Sequence, residues 1–193
     1  MRASLRSPWR GRAMLAAGLA AVAVAAVACD HPTKEPVMTF TLTSPAFQPD
    51  ARIPKPYTGE GDDTSPPLEW SAPPEGTRSF ALVCDDPDAP AGTWDHWIIW
   101  NIPADYDKLP AGVSKTEQPA DFGGAVQGKN SWPRIGYNGP MPPPGHGTHH
   151  YHFVLYALDT ILTLTPGARK ADLLTAMKDH VLGEARLTGV YSR

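Results

Sequence analysis

Apolar and polar positions alternate with period two in several short stretches of the chain. Residues 37–43 (VMTFTLT) alternate and are rich in β-branched side chains, which predicts a strand. Residues 68–70 predict a second, short strand, residues 79–84 a third and residues 184–191 the last. Residues 95–102 (DHWIIWNI) are almost continuously apolar, so this strand is expected to be covered on both faces. Residues 149–158 alternate in a way that sorts their side chains. His149, Tyr151, Phe153 and Leu155 share one face, and His150, His152, Val154 and Tyr156 share the other. Only residues 168–182 carry a helical period, with Leu173, Leu174, Met177 and Val181 on one face. Thr165 is the expected cap, Pro166 suits the first turn, and Gly183 is the expected stop.

The connections between these elements are unusual. Residues 44–67 are a proline-rich loop, and residues 103–148 are a long stretch of glycine and proline. A loop of that length in a compact domain is usually functional. The 22 prolines among 193 residues are about twice the usual ~5%. They are spread between apolar runs, and proline neither donates to a ladder nor continues a helix. The pattern predicts a loop-rich β domain.

The N-terminus has a different character. Residues 1–12 carry Arg2, Arg6, Arg10 and Arg12 and no acid; residues 13–28 are small and apolar, and Cys29 follows. A basic region, an apolar region and small residues before a cut form a secretory signal. A cysteine at the cut resembles the bacterial lipoprotein signal, in which that cysteine is lipidated. The expected organisation is therefore a signal peptide at 1–28, a tether at 29–36 and one domain at 37–193. The expected location is the periplasmic side of a membrane, with a soluble periplasmic or secreted protein as the alternative. Loss of the four arginines changes 17 basic against 20 acidic residues to 13 against 20, so formal charge falls from −3 to −7. That balance argues against a nucleic-acid partner, which needs a basic face. Lipidation of Cys29 would leave Cys84 without a partner, so no disulfide is expected. Cys84 sits in an apolar run and reads as a buried, inert thiol.

Four of the seven histidines fall in GYNGPMPPPGHGTHHYHF (136–153). Strand alternation prevents them from converging. His149 and Tyr151 share a face and can together donate to a small oxyanion. His150 and His152 look outward, with transition-metal binding as their less favoured use. His146 reads as solvated, and His180 as structural or exposed. Asp86 with His96 or His149 would make a base-and-orienter pair, but no G-x-S-x-G elbow or H-E-x-x-H motif accompanies it.

TSPPLEW (64–70), ALVCDDPDAP (81–90), DHWIIWNIP (95–103), GKNSW (128–132), GYNGPMPPPGHGTHHYHFVLYALD (136–159) and AMKDHVLGEARLTGVYSR (176–193) together resemble the phosphatidylethanolamine-binding protein family, closest to its bacterial Raf-kinase-inhibitor-like branch. The resemblance covers residues 37–193. It implies a mainly β fold, an antiparallel β-sandwich with a few peripheral helices, one near the C-terminus. It also implies a small anion pocket formed by Asp86, Pro90, Trp94, His96, Gly136, Gly139, Pro140, His149 and Tyr151. Met141 stands where that branch usually has cysteine, and His150 where it usually has arginine. The implied function is non-enzymatic binding of a small anion or phospholipid headgroup, with no cofactor and no metal. Inhibition of a kinase or protease through the pocket rim is the alternative, and hydrolysis of small esters or phosphoesters a third. A homodimer, and attachment to a membrane through the N-terminal lipid, are the further expectations.

Overall fold

Eight strands, one α-helix and one short 3-10 helix (Lys55–Tyr57) account for the regular structure of residues 39–193, the part of the chain that the computed structural model describes. The strands are β1 (Thr41–Thr43), β2 (Leu68–Ser71), β3 (Ser79–Asp86), β4 (Trp94–Pro103), β5 (Lys108–Leu109), β6 (Val126–Gln127), β7 (His149–Leu158) and β8 (Val181–Tyr191), with α1 at Lys170–Met177. All the pairings between them are antiparallel. They form a three-stranded sheet in the order β1-β2-β5 and a five-stranded sheet in the order β6-β4-β3-β7-β8.

The two sheets bury one core between them. Leu42, Leu68 and Trp70 from the small sheet meet Phe80, Leu82, Trp97, Ile99, Phe153 and Leu155 from the large one. The far face of the large sheet is also covered. Ala81, Val83, Ile98 and Trp100 pack there against Leu173 and Met177 of α1 and against Leu162. Double coverage explains why β4 reads as one apolar run. Cys84 is buried in the first core as a free thiol, and burial pushes its pKa well up.

The helix is shorter than the apolar period predicts. It stops at Met177, and Val181 and Leu182 belong to β8, where both are exposed, as is Leu174. Asp179 adopts a left-handed φ of 67°, and the His180 N–H returns to the Met177 carbonyl at 2.9 Å. This turn ends the helix before Gly183 is reached. Gly183 lies in the strand instead, where an added Cβ would come within 2.8 Å of Pro74. The cap is not Thr165. Arg169 occupies the N-cap position, and its N–H donates to the Asp172 carboxylate at 2.9 Å. The first strand is confined to Thr41–Thr43; Val37 and Met38 lie outside the described residues. Two short strands, β5 and β6, interrupt the stretch expected to be loop from 103 to 148.

A break in the β3–β4 register positions the site. Cys84 pairs with Trp97 but Asp85 pairs with Asp95, so His96 is an extra residue, a β-bulge. Strict alternation counted back from Trp97 would send His96 and Trp94 to the helix-covered face. The bulge turns both to the other side and sends Asp95 toward the helix. There Asp95 and Asp85 share Lys170, with Lys170 Nζ 3.2 Å from the Asp95 carboxylate.

Candidate functional site

Three strand ends converge on one cavity of about 230 Å3. β3 delivers Asp86, β4 delivers Trp94 and His96, and β7 delivers His149 and Tyr151. Ala89, Pro90 and Ala91 of the acidic turn form one wall; Trp132, Met141, Pro142 and Pro143 form the other. Asp86, His96, His149 and Tyr151 are each 4% exposed or less, so the polar groups form a buried floor beneath apolar walls. Among the described residues no lysine or arginine lines the cavity.

The floor groups have defined hydrogen-bond roles. Asp86 Oδ2 accepts from His149 Nδ1 at 2.7 Å, and its Oδ1 accepts from the Asp88 N–H at 2.9 Å. The carboxylate therefore fixes the ring orientation and tautomer of His149. His149 Nε2 meets His146 Nδ1 at 2.8 Å. His146 is exposed, but it is not simply solvated as its loop suggests: it closes a carboxylate–imidazole–imidazole chain.

His96 Nδ1 lies 2.6 Å from the Asn138 carbonyl. A carbonyl only accepts, so Nδ1 carries the hydrogen. Burial lowers the pKa of His96 below 6.5, more than the Asn138 carbonyl and the nearby Asp86, Asp85 and Asp95 raise it, so the ring is neutral at pH 7. Tyr151 is moved the other way. Burial, reinforced by the Asp86 charge, pushes its phenol far up, so its proton stays on. Asp86 lies near enough to raise the phenol pKa by its charge and by a side-chain hydrogen bond as well, although no acceptor among the described residues meets strict hydrogen-bond geometry with the Tyr151 hydroxyl. Trp94 Nε1 is likewise buried without a partner.

The aromatic groups hold one another at right angles. Trp94 packs edge-to-face on Trp132 at 5.3 Å, Trp132 on His96 at 5.0 Å, and His96 on Tyr151 at 5.1 Å. Outside the cavity, Asp88 accepts from both the N–H and Nδ1 of His150, at 2.9 and 2.8 Å, and these bonds lower its pKa. His152 Nδ1 meets the Thr188 hydroxyl at 3.0 Å. The two outward histidines thus hold the acidic turn and the neighbouring strand. Among the described residues no three-ligand metal cluster occurs.

Of the residues singled out from the sequence, Asp86, Pro90, Trp94, His96, His149 and Tyr151 line the cavity. Gly136, Gly139 and Pro140 do not. The Gly139 N–H, expected to face a ligand, donates to Asp63 Oδ1 at 2.6 Å. The Gly136 carbonyl accepts from Asn130 Nδ2 at 3.0 Å, and the Pro140 carbonyl from the Gly59 N–H at 2.9 Å. A Cβ at Gly139 would lie 2.5 Å from the Tyr57 carbonyl, so only glycine permits this approach. These residues build the frame behind the floor. Asp63 and Asn130 organise that frame. Asp63 also accepts from Asn138 Nδ2 and pairs with Lys115, while buried Asn130 donates to Asn138 Oδ1 and accepts from the Trp132 and Arg134 N–H groups. Trp132 and His146 complete the set that sequence reasoning missed. Trp132 lies in GKNSW, a segment quoted for the family likeness, but no spacing rule places it in the wall. Cys29 lies outside the described residues. No helix among those residues is long and apolar enough to cross a membrane.

A family profile described as phosphatidylethanolamine-binding protein matches residues 43–192. A UPF0098 protein of Methanothermobacter thermautotrophicus is 51% identical over 154 residues, which are 80% of this chain and 99% of that relative. A Mycobacterium tuberculosis relative that bears a lipoprotein name, LppC, is 41% identical over 160 residues, 83% of this chain and 74% of its own. The crystal structure of Escherichia coli YbcL, titled a new member of the mammalian PEBP family, superposes with a TM-score of 0.73 at 35% identity, covering 80% of this chain and 98% of YbcL. The profile match over residues 43–192, the 51% identity to the archaeal relative and the fold shared with YbcL make this chain a member of the phosphatidylethanolamine-binding protein family.

Proposed function

We propose that the cavity binds a small oxyanion, free or as the phosphate of a headgroup, without chemical turnover. One observation carries this reading. Tyr151 and Trp94 line the cavity, and their buried O–H and Nε1–H have no partner of good geometry among the described residues. An unpaired buried donor costs about 1–3 kcal/mol, a cost that a ligand acceptor removes. The Asp86–His149 pair supports binding better than hydrolysis, because His149 Nε2 meets His146 and not a hydroxyl or thiol. Inorganic phosphate and phosphoethanolamine are expected to raise the melting temperature of the protein, and His149→Ala to abolish the effect. Hydrolysis of a chromogenic ester that disappears in Asp86→Asn would replace this reading with an enzymatic one.

The same proposal places the domain at a membrane through a lipid on Cys29. Support comes from the basic and apolar N-terminal pattern and from the lipoprotein name of the mycobacterial relative. Wild-type protein should partition into the detergent phase of a Triton X-114 separation, and Cys29→Ala into the aqueous phase. Detergent partitioning of both would remove the lipid from the picture.

A further inference from the structure

We infer that His96 makes the cavity selective for oxyanions that carry a proton, inorganic hydrogen phosphate above all, over sulfate and phosphodiesters. The inference rests on the anion-binding reading and goes further, to the class of anion.

Three observations lead to it. The Asn138 carbonyl, 2.6 Å away, requires the hydrogen of the His96 ring to sit on Nδ1. A neutral ring so fixed presents a lone pair at Nε2. No described residue hydrogen-bonds that nitrogen, and His96 lines the cavity. The remaining charge at the floor is negative. Asp86 is there; Asp85 and Asp95 stand behind His96 on β3 and β4; and among the described residues no lysine or arginine lines the cavity. An aprotic oxygen placed against Nε2 would therefore meet a second acceptor and a negative field. An oxyanion with a hydroxyl donates to Nε2 while its other oxygens accept from Tyr151 O–H and Trp94 Nε1–H. Hydrogen phosphate satisfies both demands. Sulfate and dimethyl phosphate have only acceptors, and a site that leaves a buried polar group unpaired discriminates strongly. A phospholipid phosphate is a diester and falls on the disfavoured side, whereas inorganic hydrogen phosphate and a protonated phosphomonoester fall on the favoured one.

The test is calorimetric titration of the detergent-solubilised full chain at pH 7.5 and constant ionic strength with three probes: inorganic phosphate, sulfate and dimethyl phosphate. Phosphate should bind at least about tenfold more tightly than either of the others, the equivalent of one charge-assisted hydrogen bond. In His96→Phe, which keeps a ring and removes the acceptor, that ratio should fall to near one. Wild-type protein that binds sulfate or dimethyl phosphate as well as phosphate overturns the inference. Selectivity that survives in His96→Phe also overturns it, while leaving anion binding intact. If none of the three binds, the anion-binding reading falls, and this inference with it. Nitrogen-15 spectra of the wild-type histidines give a check that needs no variant. They should show His96 as the Nδ1–H tautomer at pH 7.5, and an Nε2–H tautomer or an imidazolium refutes the argument.

Discussion

Replacing Tyr151 by phenylalanine should stabilise the free protein and weaken its ligand binding at the same time. The ring is buried and packs edge-on against His96 at 5.1 Å, a contact that phenylalanine retains. Only the hydroxyl is lost, and among the described residues that hydroxyl has no partner of good hydrogen-bond geometry, Asp86 being its nearby acceptor. Leaving such a group unpaired costs about 1–3 kcal/mol. The Asp86 field opposes ionisation of the phenol and favours its protonated dipole, so the lower end, about 1 kcal/mol, is the expected gain. The described domain has 155 residues (193 − 38). At about 2.1 cal/mol/K per residue, 1 kcal/mol corresponds to a rise in Tm of about 3 °C. Differential scanning calorimetry without ligand measures this directly, and repetition in phosphate measures the second half. The ligand-induced rise seen in wild type should shrink in Tyr151→Phe, because an accepting oxygen loses its donor. A ligand-free Tm that falls by a degree or more would show that the hydroxyl already has a partner, and would remove the main support for a binding cavity.

Three other outcomes follow from the same contacts. Asp63→Ala should cost about 1.5–3 kcal/mol in urea denaturation, because it strips the Gly139 N–H and Asn138 Nδ2 of a charged acceptor. It should also weaken phosphate binding without touching the cavity, since Asn138 sets the His96 tautomer. Leu173→Ala, in the core under α1, should cost about 2–5 kcal/mol and leave the phosphate Kd unchanged, because it lies on the opposite face of the large sheet. The third concerns pH. The folded-state pKa of His96 lies below its ordinary 6.5, so the unfolded chain takes up this proton first. The contribution of His96 is then fully present above about pH 6.5 and is lost as pH falls toward the folded value. Urea midpoints should decline on that acidic limb in wild type and decline less in His96→Phe; parallel limbs would refute the assignment.

What the sequence disclosed, and what it withheld, divides along the range of the interactions. β7 was readable because strict alternation separates His149 and Tyr151 from His150 and His152, and the burial of the strand follows that division. The double coverage of β4 was readable from its unbroken apolar run. The helix end was misjudged because Val181 and Leu182 continue a helical period that the left-handed turn at Asp179 cuts short. The glycines of the 136–140 loop were given the wrong task for a related reason. Glycine marks a close approach of backbone to something, and here Gly139 meets Tyr57 and Thr58 and Gly136 meets Lys115 and Gln127. The partners that fix the loop, Asp63 and Asn130, act across 76 and 6 positions respectively, and no periodicity encodes such pairings.

The β-bulge at His96 joins the two kinds of information. Its effect is local, one extra residue in one strand, and no residue type in TWDHW announces it. Yet it decides the site's chemistry. Without it, Trp94 and His96 would face the helix, Asp95 would face the cavity, and Lys170 would lose one of its two carboxylates. The cavity would then hold Asp95 beside Asp86, two carboxylates with no donor from β4 between them, a floor that repels any oxyanion. The acceptors and donors now present at the floor exist because that strand breaks its own period. Deletion of His96 would make the ladder regular while leaving Asp95 opposite Asp85 and Trp94 opposite Asp86, so it removes the ring without turning Asp95 into the cavity. A folded deletion variant should therefore lose the preference for phosphate over sulfate as His96→Phe does, and a preference that survives the deletion would show that His96 does not set the site's selectivity.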